Sequence, residues 1–336
     1  MPISSHRRRV PGIVAAALAA LLTAANPSPG RAQITEFKAG ISDPVNTVLA
    51  MYMADAAGFY AAQGLKVSIV NMNGGSRGAQ ELQAGHIDSM HVGLSSVIRT
   101  NRAGGDLRTI ASLSNVIRFI FYSASGVMTA ADLKGGVVGV STFGSESDST
   151  VTLALNRIGL TRDDVTLREY GGGPKRLEAL KAGEIKATTL NEPFSSMARE
   201  QGLNPMVDLA AEQIPWLFSS LVARRSDLTS RRDLHKRFLM ATIEGNYVAL
   251  TDEKRAKDVL AKELKITDPK ILDISYNDFK QQSPLNTEPS QAGADNIMAQ
   301  FPGGNSKLDD YVDTSLLDEL KKEGFIASLQ EKYNKR

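Results

Sequence analysis

From residue 34 onward the chain alternates short runs of β-branched residues with segments whose apolar positions recur every three to four residues. Period-two runs predict strands and period-3.6 runs predict helices. Residues 34–41 predict a strand, 45–63 a helix, and 65–72 a second strand, in which "LKVSIVNM" alternates its side chains between two faces. A helix over 77–84, a strand over 87–94, a helix over 95–103 and a strand over 107–113 follow, joined at Gly, Asn or Ser as turns demand. Such alternation predicts βαβ units around mostly parallel sheets. A new set begins after "RFIFYSASG" (118–126), with a helix and strand in "TAADLKGGVVGVST", a helix over 145–159 and a strand in "VTLREYGGG". Beyond residue 228 the pattern is helical.

The chain also repeats itself. "GGSRGAQELQAGHI" (74–87) and "GGPKRLEALKAGEI" (172–185) coincide at Gly74/Gly172, Gly75/Gly173, Arg77/Lys175, Leu82/Leu180, Ala84/Ala182, Gly85/Gly183 and Ile87/Ile185, at a constant offset of 98. Each copy reads as a Gly-Gly turn, a short amphipathic helix, a glycine C-cap and a strand. Leu-x-Ala-Gly is a common helix ending, so chance similarity is the rival explanation. Two lobes on one plan are expected: residues 33–122 as the first lobe, 123–222 as the second, and 223–336 returning to complete the first. The strands after the two copies end at Gly93-Leu94-Ser95 and Asn191-Glu192-Pro193. Ligands of open α/β sheets bind outside such carboxyl ends, so the two ends are expected to face each other across a cleft.

Residues 1–32 read as an export signal. Arg7, Arg8 and Arg9 precede an apolar run over 12–25, and Gly30-Arg31-Ala32 offers small residues for cleavage near Ala32/Gln33. The run is shorter than the ~20 residues that a membrane-spanning helix needs. Removing it takes four arginines from the 39 basic residues and none of the 37 acidic ones, leaving a balance of −2. The basicity of the full chain thus belongs to the signal, and nucleic-acid binding loses its electrostatic footprint. The chain has no cysteine, which excludes disulfides, thiolate chemistry and a lipidated N-terminus. The four histidines have no metal-ligand spacing, no Gly-x-Ser-x-Gly elbow is present, and neither "GGGP" nor "GGSRG" ends as a phosphate loop does. No metal or cofactor is expected.

"NTVLAMYMADAAGFYAAQGLKVSIVNMNGGSRGAQELQAGHIDSMHVG" resembles the first lobe of the nitrate/sulfonate/taurine-type and thiamine-precursor-type solute-binding proteins of ABC importers. Gly58-Phe59-Tyr60, Gly64-Leu65, "GGS" at 74–76 and "AGHID" at 84–88 carry the resemblance, and "DLKGGVVGVSTFGS" and "NEPF" match the second lobe. It covers roughly residues 34–228, and the C-terminal third only as helical pattern. It implies an α/β fold, the two-lobed periplasmic-binding-protein fold of the second type, with a mostly parallel sheet flanked by helices in each lobe and a ligand cleft between them. It further implies a monomeric periplasmic receptor that binds a small-molecule ligand and delivers it to an inner-membrane ABC permease. A small sulfonate or taurine-like solute is the leading ligand; an aminopyrimidine thiamine precursor or an aromatic carboxylate is the alternative. The fungal pyrimidine-precursor synthases, similar in fold, are the enzymatic alternative, but they are cytosolic and use a cysteine-rich motif.

Candidate site residues fall at the predicted strand ends. In "STFGSESDST", Ser145 is expected to cap a helix with Glu146 and Asp148 in its first turn, or to receive an oxyanion with Gly144 allowing close approach. The two acids oppose an anion unless both point to solvent; if one faces the cleft, a cationic, zwitterionic or amino-heterocyclic guest is favoured. Glu192 is a second candidate carboxylate, or a hinge hydrogen bond. Asp43 and Asn46 are caps or first-lobe contacts, as are Gly93, Ser95, Ser96 and Asn115. Arg118 is an anion partner or a surface charge. Phe143 and Trp216 are an aromatic wall or core.

Overall fold

In the computed structural model, residues 1–3, 34–301 and 307–333 are described, so the predicted export signal lies, beyond its first three residues, outside the described residues. Among the described residues, two five-stranded sheets organise the chain from residue 34 onward. The first contains β1 (Thr35–Ile41), β2 (Leu65–Asn71), β3 (Ser89–Val92), β4 (Leu107–Val116) and β10 (Pro215–Arg224), in the order β2-β1-β3-β10-β4. The second contains β5 (Ile120–Ser123), β6 (Val137–Val140), β7 (Thr166–Glu169), β8 (Ala187–Leu190) and β9 (Asn204–Asp208), in the order β7-β6-β8-β5-β9. In each, three parallel strands are followed by one antiparallel strand, β10 or β5, and an edge strand that runs with the first three. The repeated segments hold the same place in both: the helix Gly75–Gln83 feeds β3, and the helix Gly173–Lys181 feeds β8.

Two sequence expectations shift. The helix predicted over 45–63 is a 3-10 turn, Asn46–Val48, then the helices Leu49–Ala56 and Phe59–Ala62, broken where Gly58 takes φ +76°. The left-handed backbone that glycine tolerates stops the helix despite an unbroken apolar stripe. The predicted lobe limits at 122/123 and 222/223 also move: β5 already belongs to the second sheet and β10 wholly to the first. The chain therefore crosses at 117–119 and 209–214. Trp216 to Val222 form an almost fully buried run, apolar except for Ser219 and Ser220, which suits a strand flanked on both edges, by β3 and β4.

The C-terminal helices cover the first sheet. The helix Arg232–Thr251 crosses Leu49–Ala56 closely at Gly245, where an added Cβ would lie 2.3 Å from the Ala50 carbonyl oxygen. Phe37 stacks on Phe238 at 4.4 Å, and Tyr60 on Phe238 at 5.4 Å, tying sheet and helices together. Among the described residues no helix is long and apolar enough to cross a membrane.

Candidate functional site

The loops after the parallel strands β1, β3, β6 and β8 surround one cavity of about 50 Å³. Ser42, Asp43, Thr47, Gly75, His91, Gly93, Phe218 and Ser219 line it from the first lobe, and Ser141, Ser145, Glu146, Ser147, Arg176 and Asn191 from the second. Phe119, on the first crossover, meets Phe218 edge-on at 4.9 Å. The helices Gly75–Gln83, Leu94–Arg102, Glu146–Arg157 and Gly173–Lys181 all begin here. Their unpaired first-turn N–H groups give the site positive polarity.

Much of that polarity is answered across the cleft. From the second lobe, Glu146 Oε1 accepts the Ser95 N–H at 2.7 Å and Oε2 accepts the Trp216 Nε1–H at 2.6 Å. From the first lobe, Asp43 Oδ2 accepts the Gly173 N–H at 3.2 Å and lies 3.8 Å from Arg176 Nη2. The Thr142 hydroxyl accepts the Ser76 N–H at 3.2 Å. Two glycines make this approach possible. A Cβ on Gly93 would stand 2.2 Å from Glu146 Cγ, and one on Gly172 would stand 2.0 Å from Asp43 Oδ1.

Burial sets the charge states. It pushes Glu146 up to about 7 against the hydrogen bonds from Trp216 and Ser95, and Asp43 up to about 6 against the Arg176 charge. It pushes His91 down to about 4, so its imidazole is neutral at pH 7, and it lowers Arg176 while Asp43 opposes the shift. Arg176 is anchored by the carbonyls of Gly171, at 3.1 Å, and Thr189. Also in the lining, Ser141, Ser145 and Ser147 form a triangle of hydroxyls at 2.9 Å.

Of the residues singled out from the sequence, Asp43, Gly93, Ser145 and Glu146 line the cavity. Asn46 turns away to the Ser275 carbonyl and the Asp278 carboxylate. Ser95 offers its backbone N–H to Glu146, and its neighbour Ser96 is buried. Asn115 donates to the Glu288 carbonyl and accepts the Ser290 N–H, fixing a loop. Phe143 is 48% exposed on an outer groove, and Gly144, at φ +81°, packs against Arg99. Glu192 is buried on the Ser196 N–H, at 3.3 Å, outside the lining; Trp216 is buried in the core. Arg118 is paired with Asp278 inside the fold.

The expected capping box at Ser145 is not formed: its side chain caps no backbone N–H and joins the hydroxyl triangle instead. Neither first-turn acid reaches solvent. Glu146 crosses the cleft, while Asp148 accepts the Gly144 N–H at 2.8 Å and an Arg162 Nη1–H at 2.6 Å. Several lining residues escaped the sequence reading although a signal existed. The offset of 98 carries Asp43 to Ser141, Thr47 to Ser145 and Gly93 to Asn191, lining residue to lining residue. Arg176, His91, Phe119 and Phe218 had no such signal, because only packing turns them inward.

The sequence model of the NMT1/THI5-like family matches residues 46–256. Among curated proteins, the riboflavin-binding protein RibY of Chloroflexus aurantiacus is 25% identical over 217 residues, 62% of this chain. The match spans 60% of RibY's own length. Among solved structures, a protein of Bordetella bronchiseptica RB50 has a TM-score of 0.75 at 20% identity, covering 89% of this chain and 98% of that one. The periplasmic aliphatic sulphonate binding protein SsuA of Escherichia coli has a TM-score of 0.61 at 19% identity, covering 84% and 99%. The desulfurization enzyme DszB has a TM-score of 0.62 at 16% identity, covering 85% and 99%. The periplasmic-binding-protein fold is thus shared by binding proteins and an enzyme.

Proposed function

This chain belongs to the NMT1/THI5-like family, and from that premise we propose that it is a non-catalytic solute receptor. It captures a small organic solute between its lobes in the periplasm and delivers it, as a monomer, to an inner-membrane ABC permease. The observation that carries this reading is the cavity at the strand ends of both sheets, with Asp43 and Glu146 each reaching the opposite lobe. A ligand touching both lobes favours the closed arrangement, and closure is the signal a permease reads.

A small sulfonate or taurine-like compound is the leading ligand. Arg176 and the hydroxyls of Ser141, Ser145 and Ser147 are donors suited to sulfonate oxygens, and SsuA, of the same fold, is a sulfonate-binding protein. An aminopyrimidine or aromatic carboxylate is the second reading, supported by the paired rings of Phe119 and Phe218.

A thermal-shift screen of the purified protein against sulfonates, taurine, nitrate, thiamine precursors and aromatic acids tests the proposal. A ligand at about 100 times its dissociation constant stabilises by ~2.7 kcal/mol. A screen in which nothing raises the melting temperature, while a turnover assay yields product, overturns the receptor reading in favour of an enzyme.

A further inference from the structure

We propose that the protein has a second binding site, separate from the cleft, for a free tetrahedral oxyanion such as phosphate or sulfate, held between Arg99 of the first lobe and Arg162 of the second.

The site is a pocket of about 210 Å³ that shares no lining residue with the cleft cavity. Arg99 comes from the first-lobe helix Leu94–Arg102, and Gln300 and Phe301 from the turn after the helix Gln291–Met298, which packs on β10. Asp148, Ser149 and Thr152 come from the second-lobe helix Glu146–Arg157, and Arg162 from the 3-10 turn that follows it. Arg99 reaches the second lobe because Gly144 has no side chain. A Cβ on that glycine, at φ +81°, would lie 2.1 Å from Arg99 Cδ and 2.7 Å from Nε.

Charge in this pocket is unbalanced. Two guanidiniums face one carboxylate, and that carboxylate is already committed. Asp148 is buried; its Oδ1 accepts from Arg162 Nη1 at 2.6 Å and its Oδ2 from the Gly144 N–H at 2.8 Å. It stands 3.9 Å from Arg99 Nη2, beyond hydrogen-bond reach. Among the described residues the Arg99 guanidinium otherwise meets the Phe301 ring, 5.4 Å from its centre, and no hydrogen-bonded acceptor. Arg102 lies 5.7 Å from the same ring centre and adds a further positive charge nearby. The Arg99 and Arg162 side chains are 52% and 39% exposed, so an ion can reach both. The Thr152 hydroxyl is occupied by Arg162 Nη1 and the Asp148 carbonyl, whereas Ser149 and Gln300 bring a hydroxyl and an amide that can donate. Guanidinium forks and such donors match the oxygens of a tetrahedral anion.

The two cations belong to different lobes, so the pocket is complete only when the lobes are together. An ion bound there relieves their repulsion and favours closure, and by linkage the ion and a solute in the cleft tighten each other. That coupling rests on the receptor reading; the anion site itself does not.

Isothermal titration calorimetry of the purified protein with sodium phosphate and sodium sulfate, at an ionic strength held constant with sodium chloride, tests the site. Wild type should show one saturable site. Arg99→Gln should weaken it roughly 10- to 150-fold, the range for hydrogen bonds from a charged donor, and Arg99→Lys, which keeps the charge, by less. No heat beyond the chloride control in wild type overturns the proposal. So does undiminished binding by Arg99→Gln, which would put the ion elsewhere, the cleft included. Should Arg99→Gln not fold, the double variant Ser149→Ala/Gln300→Ala takes its place, with weaker binding expected and unchanged binding overturning the proposal. In small-angle X-ray scattering, phosphate alone should compact wild type and leave Arg99→Gln unchanged; wild type that does not compact at saturation overturns the coupling to closure. A solute that stabilises the protein in the thermal-shift screen leaves the receptor reading standing whatever phosphate does.

Discussion

Replacing Gly93 by alanine asks whether the lobes close through the Glu146 contact. Gly93 sits at φ −81°, ψ 163°, extended backbone that alanine adopts freely, so the first lobe has no reason to unfold. In the closed form the new Cβ would lie 2.2 Å from Glu146 Cγ and 2.3 Å from both Cδ and Oε1. Glu146 must then vacate its position. Escape to water recovers its own desolvation, but the Ser95 N–H and the Trp216 Nε1–H lose their acceptor. Each buried donor left unpaired costs ~1–3 kcal/mol, so closure is disfavoured by about 2–6 kcal/mol. Even the lower figure shifts the closed-to-open ratio by roughly 30-fold. Small-angle X-ray scattering, with and without saturating ligand, should show Gly93→Ala resisting the compaction that wild type undergoes, with unchanged far-UV circular dichroism. A variant that compacts and binds as wild type does would refute the role given to Glu146.

Three further outcomes follow from the same geometry. Glu146 has its pKa raised from 4.5 to about 7, so between those values the closed form holds more proton than the unfolded chain, and stability falls as pH rises. His91, lowered from 6.5 to about 4, acts in the opposite sense below pH 6.5, so the melting temperature should decline between pH 6.5 and 8, and Glu146→Gln should flatten that decline. Trp216 is the one tryptophan of the chain and its indole N–H bonds across the cleft, so ligand titration should change its emission; Glu146→Ala should abolish the change while leaving the ring buried. Gly245→Ala places a Cβ 2.3 Å from the Ala50 carbonyl oxygen and should lower urea stability by about 1–3 kcal/mol, the usual cost of overpacking; an unaltered midpoint would mean that the two helices separate freely there.

The fold was legible where local pattern and repetition suffice. Alternating apolar runs fixed the strands, and two copies of one turn-helix-strand unit announced two sheets of equal plan, because a period of two or 3.6 is written in neighbouring residues. The repeat even held part of the site, since Asp43 and Ser141, or Gly93 and Asn191, are the same strand ends seen twice. What the pattern could not carry was direction across space. Glu146 reads as an ordinary first-turn acid until the opposite lobe brings Ser95 and Trp216 to its carboxylate. Trp216 reads as an aromatic wall or core of the second lobe until β10 is seen between β3 and β4, and nothing in the sequence marks Arg176, which the Gly171 and Thr189 carbonyls hold inside. Strand and helix identity rests on contacts a few residues apart, which the sequence determines; the charge balance of the cleft rests on contacts between residues 70 or 130 positions apart, which tertiary structure alone brings within hydrogen-bond reach.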